Sequence, residues 1–123
     1  MKKVDHIGIA VKDLDASMSV YEKLLNVSCD KVEEVASENV LTAFFQAGDT
    51  KIELLAATNE DSAIAKYLTK KPEGIHHIAF EVEDIYLEIN RLKKEGFTPL
   101  SQEPKKGADN KLICFFHPKD TNG

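Results

Sequence analysis

Apolar side chains alternate with polar or small ones in two short segments of this chain, Val4–Val11 and Ile75–Val82. Such alternation is typical of a β-strand with one buried face. Each segment is followed by an aspartate and then by apolar residues at helical spacing, which indicates a helix that starts just after the strand. The pattern therefore predicts a strand and a helix in succession at two places in the sequence.

The two segments are copies of one motif. When His6 is set on His77, an offset of 71 positions (77 − 6), both copies have a histidine, an isoleucine, a small residue and an apolar residue in the same order. The alignment continues to an aspartate, Asp13 in the first copy and Asp84 in the second. An internal repeat of this kind indicates one structural module used twice.

The rest of the pattern predicts the remaining elements. Helices are expected at Leu14–Leu25, at Ala63–Lys70 and in a segment that begins after Asp84 and ends before Gly96. Further strands are expected at Val27–Val35, Val40–Ala47, Lys51–Leu55, Phe97–Leu100 and Lys111–His117.

These elements predict a single domain of the α+β class, built from two βαβββ modules. The modules span about residues 1–58 and 74–123, joined by the short helix near 63–70. The second copy has one strand fewer than the first, and the sequence ends in a turn, Asn122-Gly123, of a kind that normally leads into a strand. We expect either that the natural chain continues past Gly123 or that the second module is unusually short.

Each repeated strand presents two different faces. The apolar faces, expected to pack beneath helices, carry Ile7, Ile9 and Val11 in the first copy and Ile78, Phe80 and Val82 in the second. The opposite faces carry His6, Gly8 and Ala10, and His77, Ala79 and Glu81. A histidine beside small residues suits a ligand or metal site. The alternative is a half-exposed face whose histidines have no role, and equivalent positions in a repeat favour the site.

Glu53 is the carboxylate that could join the two histidines, because it lies alone in an apolar strand on the face away from Ile52 and Leu54. Two imidazoles and a carboxylate can hold a divalent transition metal and leave positions open for a substrate. Alternation places His76 on the face opposite His77, where it is structural or an outer partner of the ligands. Glu81 is a charge at the rim of the site or a general base, and we favour the rim.

The segment Pro104–Lys111 and the residues that follow it are rich in cationic groups. The candidates for binding an anionic substrate here are Lys105, Lys106, His117 and Lys119, with Lys111 in the same loop. The alternative is a solvated surface loop with no ligand.

Composition narrows the classes of function. The 123 residues carry a net charge of −5, which argues against nucleic acid and anionic membranes as partners. No apolar run is long enough for a membrane span and no signal peptide is recognisable, so we expect a cytoplasmic protein. Cys29 and Cys114 lack metal-type spacing and are expected to be reduced thiols.

The motif Asp5–Val11, the two βαβββ copies and His77 at the head of the second copy resemble the vicinal oxygen chelate superfamily, which includes glyoxalase I, extradiol dioxygenases and bleomycin-resistance proteins. Within that superfamily the chain is similar to the methylmalonyl-CoA epimerase family. The finer resemblance covers nearly the whole chain and is carried by Gly48–Leu55, Asp61–Leu68, Gly74–Phe80, Glu103–Ala108 and Phe116–Lys119.

The resemblance implies a glyoxalase-like fold, a cupped mixed sheet that holds a divalent metal ion, which could be cobalt, zinc, nickel or manganese. By position, His6, Glu53 and His77 match three of the family's metal ligands. The fourth is a glutamate that would fall just after Gly123, and an acidic residue proposed as a base in some members falls at about Thr42. The two proton-transfer groups of this chain therefore stay unassigned.

The implied activity is the interconversion of (R)- and (S)-methylmalonyl-CoA, by removal and return of the α-proton through a metal-stabilised enolate. The substrate would be an acyl-CoA, and the family resemblance also implies a homodimer. Two alternatives are a glyoxalase I-like lyase acting on a glutathione hemithioacetal and a non-catalytic protein of the same fold that binds a small ligand.

Overall fold

The structure, a computed structural model, describes all residues from 1 to 123 and is of the α+β class. Its seven strands are β1 (Lys3–Ala10), β2 (Lys31–Val35), β3 (Val40–Ala47), β4 (Thr50–Ala57), β5 (Gly74–Glu81), β6 (Lys105–Lys106) and β7 (Leu112–Ile113). Its three α-helices are α1 (Leu14–Leu25), α2 (Ala63–Lys70) and α3 (Ile85–Lys94). The α+β prediction is confirmed.

The first module has the predicted order of elements. Its strands form a mixed sheet in the order β2-β3-β4-β1, to which β5 adds as an edge strand. The predicted strand Val27–Val35 is shorter in the structure, because regular pairing begins only at Lys31. In the second copy β6 and β7 form a separate two-stranded ribbon, and the predicted strand Phe97–Leu100 is reduced to one bridge between Pro99 and Phe116.

Aspartate caps begin both repeated helices. The Asp13 side chain accepts a hydrogen bond from the Ala16 amide at the start of α1, and Asp84 accepts from the Tyr86 and Leu87 amides at the start of α3. These bonds satisfy amides that have no partner within the helix. The cap is therefore the same residue type at the equivalent position of each copy.

The sheet of the first module is covered on both faces. On one face α1 packs against a core formed by Val11, Ala43, Phe45, Leu54 and Ala56. On the other face Ile64 of α2 lies in a second core with Ala10, Val35, Val40 and Leu55. Since α2 covers only part of this second face, the remainder, beside Glu53 and Gly8, is where polar side chains meet.

The pairing of β1 with β5 is antiparallel and symmetric with respect to the repeat. Ile7 pairs with its own repeat equivalent, Ile78. The pairs on either side, His6 with Ala79 and Gly8 with His77, are equivalent to each other by the same offset. Asp5 and His76 fall at the two register shifts in this pairing, so each is the extra residue of a β-bulge. Both bulges directly precede a site histidine.

The apolar face of β5 corrects one sequence expectation. Ile78 and Phe80 were expected to pack beneath helices, but each is 54% exposed. The reason is that α1 covers the sheet over β3 and β4, whereas α3 has only one buried residue, Ile89.

No helix in the structure combines the length and the apolar character that a membrane crossing requires.

Candidate metal centre

His6 and His77 meet across the pair of strands β1 and β5. Their Nε2 atoms lie 3.0 Å apart and their rings are nearly perpendicular. The small residue predicted to leave room is Gly8, which pairs with His77 in register. A Cβ atom at Gly8 would lie 2.3–2.7 Å from three atoms of the His77 ring. The ring therefore occupies the space that the absent side chain leaves.

Asp5 is a site residue that the sequence reasoning missed. It is only 8% exposed, its Oδ2 atom lies 2.8 Å from Nδ1 of His6, and its Oδ1 accepts from the Lys111 ammonium at 3.0 Å. Strand alternation would have pointed Asp5 away from His6, but the bulge turns both side chains toward the same region. Burial alone would raise the pKa of Asp5, but hydrogen bonds with His6 and Lys111 lower that pKa to about 2.

Glu53 lies on the neighbouring strand, directly beside Gly8 in register. It is 4% exposed, its Oε2 atom is 3.3 Å from Nδ1 of His6, and its carboxylate accepts no hydrogen bond. Burial raises the pKa of Glu53. A buried carboxylate beside an imidazole is a position suited to a metal ion.

Alternation predicted that His76 lies on the face opposite His77, but in the structure the two rings are in contact. Its Nδ1 atom is 2.9 Å from Nδ1 of His77, and its ring packs edge-on against Tyr67. The bulge at His76 is the reason, since it shifts the phase of β5 by one residue. His76 thereby becomes an outer partner of the site rather than a residue of the other face.

Burial keeps His77 in its neutral form. Desolvation, assisted by the nearby His6 and His76, lowers the pKa of His77 to about 3. The Phe115 ring packs edge-on against it at 5.4 Å between centroids. Neutral imidazole is the form that ligates a metal ion, so the pKa shift favours that role.

The residues present suit a divalent ion in two ways that share His6. Ligand atoms of Asp5, His6 and Glu53 all lie within 4.8 Å of one another, and that group does not include His77. On the other edge of the His6 ring, the 3.0 Å between the Nε2 atoms equals the separation of two ligands at right angles with bonds of about 2.1 Å. Imidazole and carboxylate donors at these distances fit a transition-metal ion.

The cationic residues predicted for substrate binding are not gathered at the histidines. Lys105 forms an ion pair with Glu38, Lys106 and Lys119 are exposed, and the His117 ring accepts a hydrogen bond from the Lys119 amide. Two other lysines are closer to the site: Lys111 holds Asp5, and Lys51 pairs in register with His6. Nothing in the sequence distinguished these two lysines from the surface ones.

Asp109 ties this loop across the sheet. Its carboxylate forms ion pairs with Lys31 at 2.7 Å and Lys51 at 3.4 Å, and its amide donates to Glu33.

Thr42 is fully buried on the site face and its hydroxyl has no hydrogen-bond partner. A threonine hydroxyl is not a base at neutral pH, so Thr42 supplies no proton-transfer group.

Fold and site together define a class: an α+β protein with a mixed sheet and a histidine and carboxylate cluster on its β1–β5 strand pair. A sequence model of the Glyoxalase/Bleomycin resistance protein/Dioxygenase superfamily matches residues 5–115. The chain therefore belongs to the Glyoxalase/Bleomycin resistance protein/Dioxygenase superfamily.

Its relatives within that superfamily include epimerases. The chain is 43% identical to an ethylmalonyl-CoA/methylmalonyl-CoA epimerase of Cereibacter sphaeroides, over 98% of this chain and 92% of that protein. It is 38% identical to the mitochondrial methylmalonyl-CoA epimerase of Homo sapiens, over 98% and 69% of the two chains. A solved methylmalonyl-CoA epimerase in complex with methylmalonyl-CoA and NH4+ matches with a TM-score of 0.95 and 35% identity, over 100% of this chain and 90% of that one.

Proposed function

We propose that this chain is a metal-dependent epimerase that interconverts the (R) and (S) forms of methylmalonyl-CoA. The observation that carries the proposal is the buried Glu53 carboxylate, which lies 3.3 Å from His6, whose Nε2 atom in turn faces that of His77. The similarity to epimerases over nearly the whole chain supports the choice of substrate.

In this proposal His6, His77 and Glu53 hold the ion, which is cobalt, zinc, nickel or manganese. His6 and His77 contribute Nε2, because Nδ1 of each already has a hydrogen-bond partner. Glu53, whose Oε2 atom lies 3.3 Å from Nδ1 of His6, would turn its carboxylate toward the Nε2 edge of that ring to join them. A divalent ion at this place supplies Lewis acidity, which stabilises the negative charge that develops on a thioester oxygen when the α-proton leaves.

The chain's own residues bind and enclose the substrate. Phe115, whose ring packs edge-on against His77, is proposed to limit the access of water on that side of the site. The exposed Lys105, Lys106 and Lys119, together with His117, are proposed to meet the phosphates of coenzyme A, for which Lys105 would exchange its ion pair with Glu38. We further propose a homodimer in the cytoplasm, and we assign no residue as the general acid or base.

The test is exchange of the substrate's α-proton in deuterium oxide, followed by NMR, with and without Co²⁺. We expect exchange that depends on the metal and is lost in His6→Ala, in His77→Ala and in Glu53→Ala. Asp15→Ala, an exposed position on α1, is the matched control and keeps the wild-type rate.

Two outcomes contradict the proposal. If the chain binds cobalt but methylmalonyl-CoA shows no α-proton exchange, the epimerase proposal is wrong. Turnover of a glutathione hemithioacetal would then indicate a lyase of the glyoxalase I type. Absence of both exchange and metal leaves a protein that binds a small ligand without catalysis.

A further inference from the structure

The two β-bulges of the β1–β5 strand pair carry equivalent residues. Asp5 precedes His6 and His76 precedes His77, and the same offset relates both pairs. In each copy the bulged residue makes a hydrogen bond with Nδ1 of the histidine that follows: Asp5 to His6 at 2.8 Å and His76 to His77 at 2.9 Å. The contact is thus made twice, at equivalent atoms, by chemically different side chains.

We propose that Asp5 and His76 are positioning residues that fix the tautomer and ring orientation of His6 and His77, so that both Nε2 atoms present their lone pairs to one metal ion. This inference rests on the proposed metal site. A histidine that ligates through Nε2 carries its proton on Nδ1 and needs an acceptor there. The bulges supply that acceptor, because without them alternation would turn Asp5 and His76 to the other face of the sheet.

The hydrogen-bond partners assign the tautomers of the metal-free protein. Asp5 is an acceptor only, so His6 carries its proton on Nδ1 and its Nε2 is an acceptor. His77 therefore donates from Nε2 across the 3.0 Å contact, and its Nδ1 accepts a proton donated by Nδ1 of His76.

Metal binding then requires a rearrangement that conserves protons. His77 loses its Nε2 proton and gains one on Nδ1, which it donates to Nδ1 of His76. His76 loses its Nδ1 proton and gains one on Nε2, so each ring stays neutral and the pair holds as many protons as before. The Asp5 and His6 pair needs no such change, because its tautomer already suits a metal.

Two experiments test the assignment. The first measures Co²⁺ affinity, by visible absorption, in variants that remove the acceptor or keep it. Asp5→Leu and His76→Leu are expected to weaken binding by roughly 10- to 100-fold, while Asp5→Asn and His76→Asn retain an acceptor oxygen and most of the affinity. Asp49→Ala, on an exposed turn, is the control.

The second experiment uses the unmodified chain, so it stands even where a leucine variant fails to fold. The ¹⁵N chemical shifts of the histidines are recorded with and without Zn²⁺. We expect His76 to change from the Nδ1–H to the Nε2–H form when zinc binds, and His6 to stay Nδ1–H. A purely structural role for His76 would not produce that change of tautomer.

The results separate this inference from the proposed function. Failure of the unmodified chain to bind either metal overturns both. Metal binding with His76 unchanged, or with leucine variants as tight as the unmodified chain, overturns only the positioning role. An Asp5→Asn variant as weak as Asp5→Leu also overturns it, because Asp5 would then be a direct ligand in the group it forms with His6 and Glu53.

Discussion

At the scale of single residues, the absence of a side chain at Gly8 determines where His77 can lie. The His77 ring fills the space above the Gly8 backbone. Gly8 itself lies between its two register partners, Glu53 on β4 and His77 on β5. The requirement is steric rather than conformational, since the backbone of Gly8 lies outside the left-handed region.

Gly8→Ala is therefore expected to displace the His77 ring and weaken Co²⁺ binding by roughly 100-fold or more, because a ligand nitrogen would move away from its partner. The measurement is a cobalt titration beside a urea unfolding curve. Gly48→Ala is the control: Gly48 has a positive φ but open space around it, so stability falls by about 1 kcal/mol and metal affinity is retained. Full metal affinity in Gly8→Ala would contradict the steric account.

The sequence predicts site residues to the extent that they stand on regular strands. His6, His77 and Glu53 were predicted as candidate ligands from the repeat and from the lone carboxylate, and the structure brings His6 beside both others. Asp5 was missed because alternation turned it away. Since a bulge changes the phase of a strand without any fixed residue signature, neither the contact of Asp5 with His6 nor the face on which His76 lies could be predicted from the pattern.

At the scale of elements, the helices follow local rules and were predicted closely. The bounds of α1 and α2 coincide with the expectation, because an aspartate or serine cap and an apolar stripe define them. The strands of the second copy were predicted less well. Pairing depends on distant partners, and the segments 97–100 and 111–117 pair only briefly in the structure.

The cap of α3 is expected to act independently of the site. Asp84→Ala removes the acceptor for the Tyr86 and Leu87 amides and should lower the free energy of unfolding by about 1 kcal/mol. Asp84→Asn keeps an acceptor and should retain most of that stability. Urea denaturation measures both, and equal losses in the two variants would show that the hydrogen bonds to the cap are not the cause.

At the scale of the whole molecule, stability depends on the protonation of His77. Its pKa is about 3 in the native protein because of burial, and near 6.5 in an unfolded chain. Below about pH 6.5 the unfolded chain binds a proton that native His77 does not, so stability falls as the pH decreases toward 3. Above that pH the residue has no such effect.

The metal-free protein is therefore expected to lose about 1.4 kcal/mol per pH unit relative to His77→Gln, within about pH 6 to 4.5. The two chains must be compared because Glu53 is present in both. Burial raises the pKa of Glu53, so Glu53 makes stability rise as the pH falls, and the difference between the two curves removes that contribution. Urea denaturation at several pH values gives the difference. Parallel stability curves for the two chains would show that native His77 titrates normally.

The self-matching register of β1 and β5 makes their pairing an internal two-fold contact, of the kind that two identical subunits form with each other. Such symmetry supplies side chains in equal pairs, and His6 and His77 are one such pair. Asp5 and His76 occupy equivalent places but differ chemically, one an acid and the other an imidazole. The two halves of this contact are thus alike in backbone geometry and unlike in charge, so the symmetry of the strands is not a symmetry of the electrostatics.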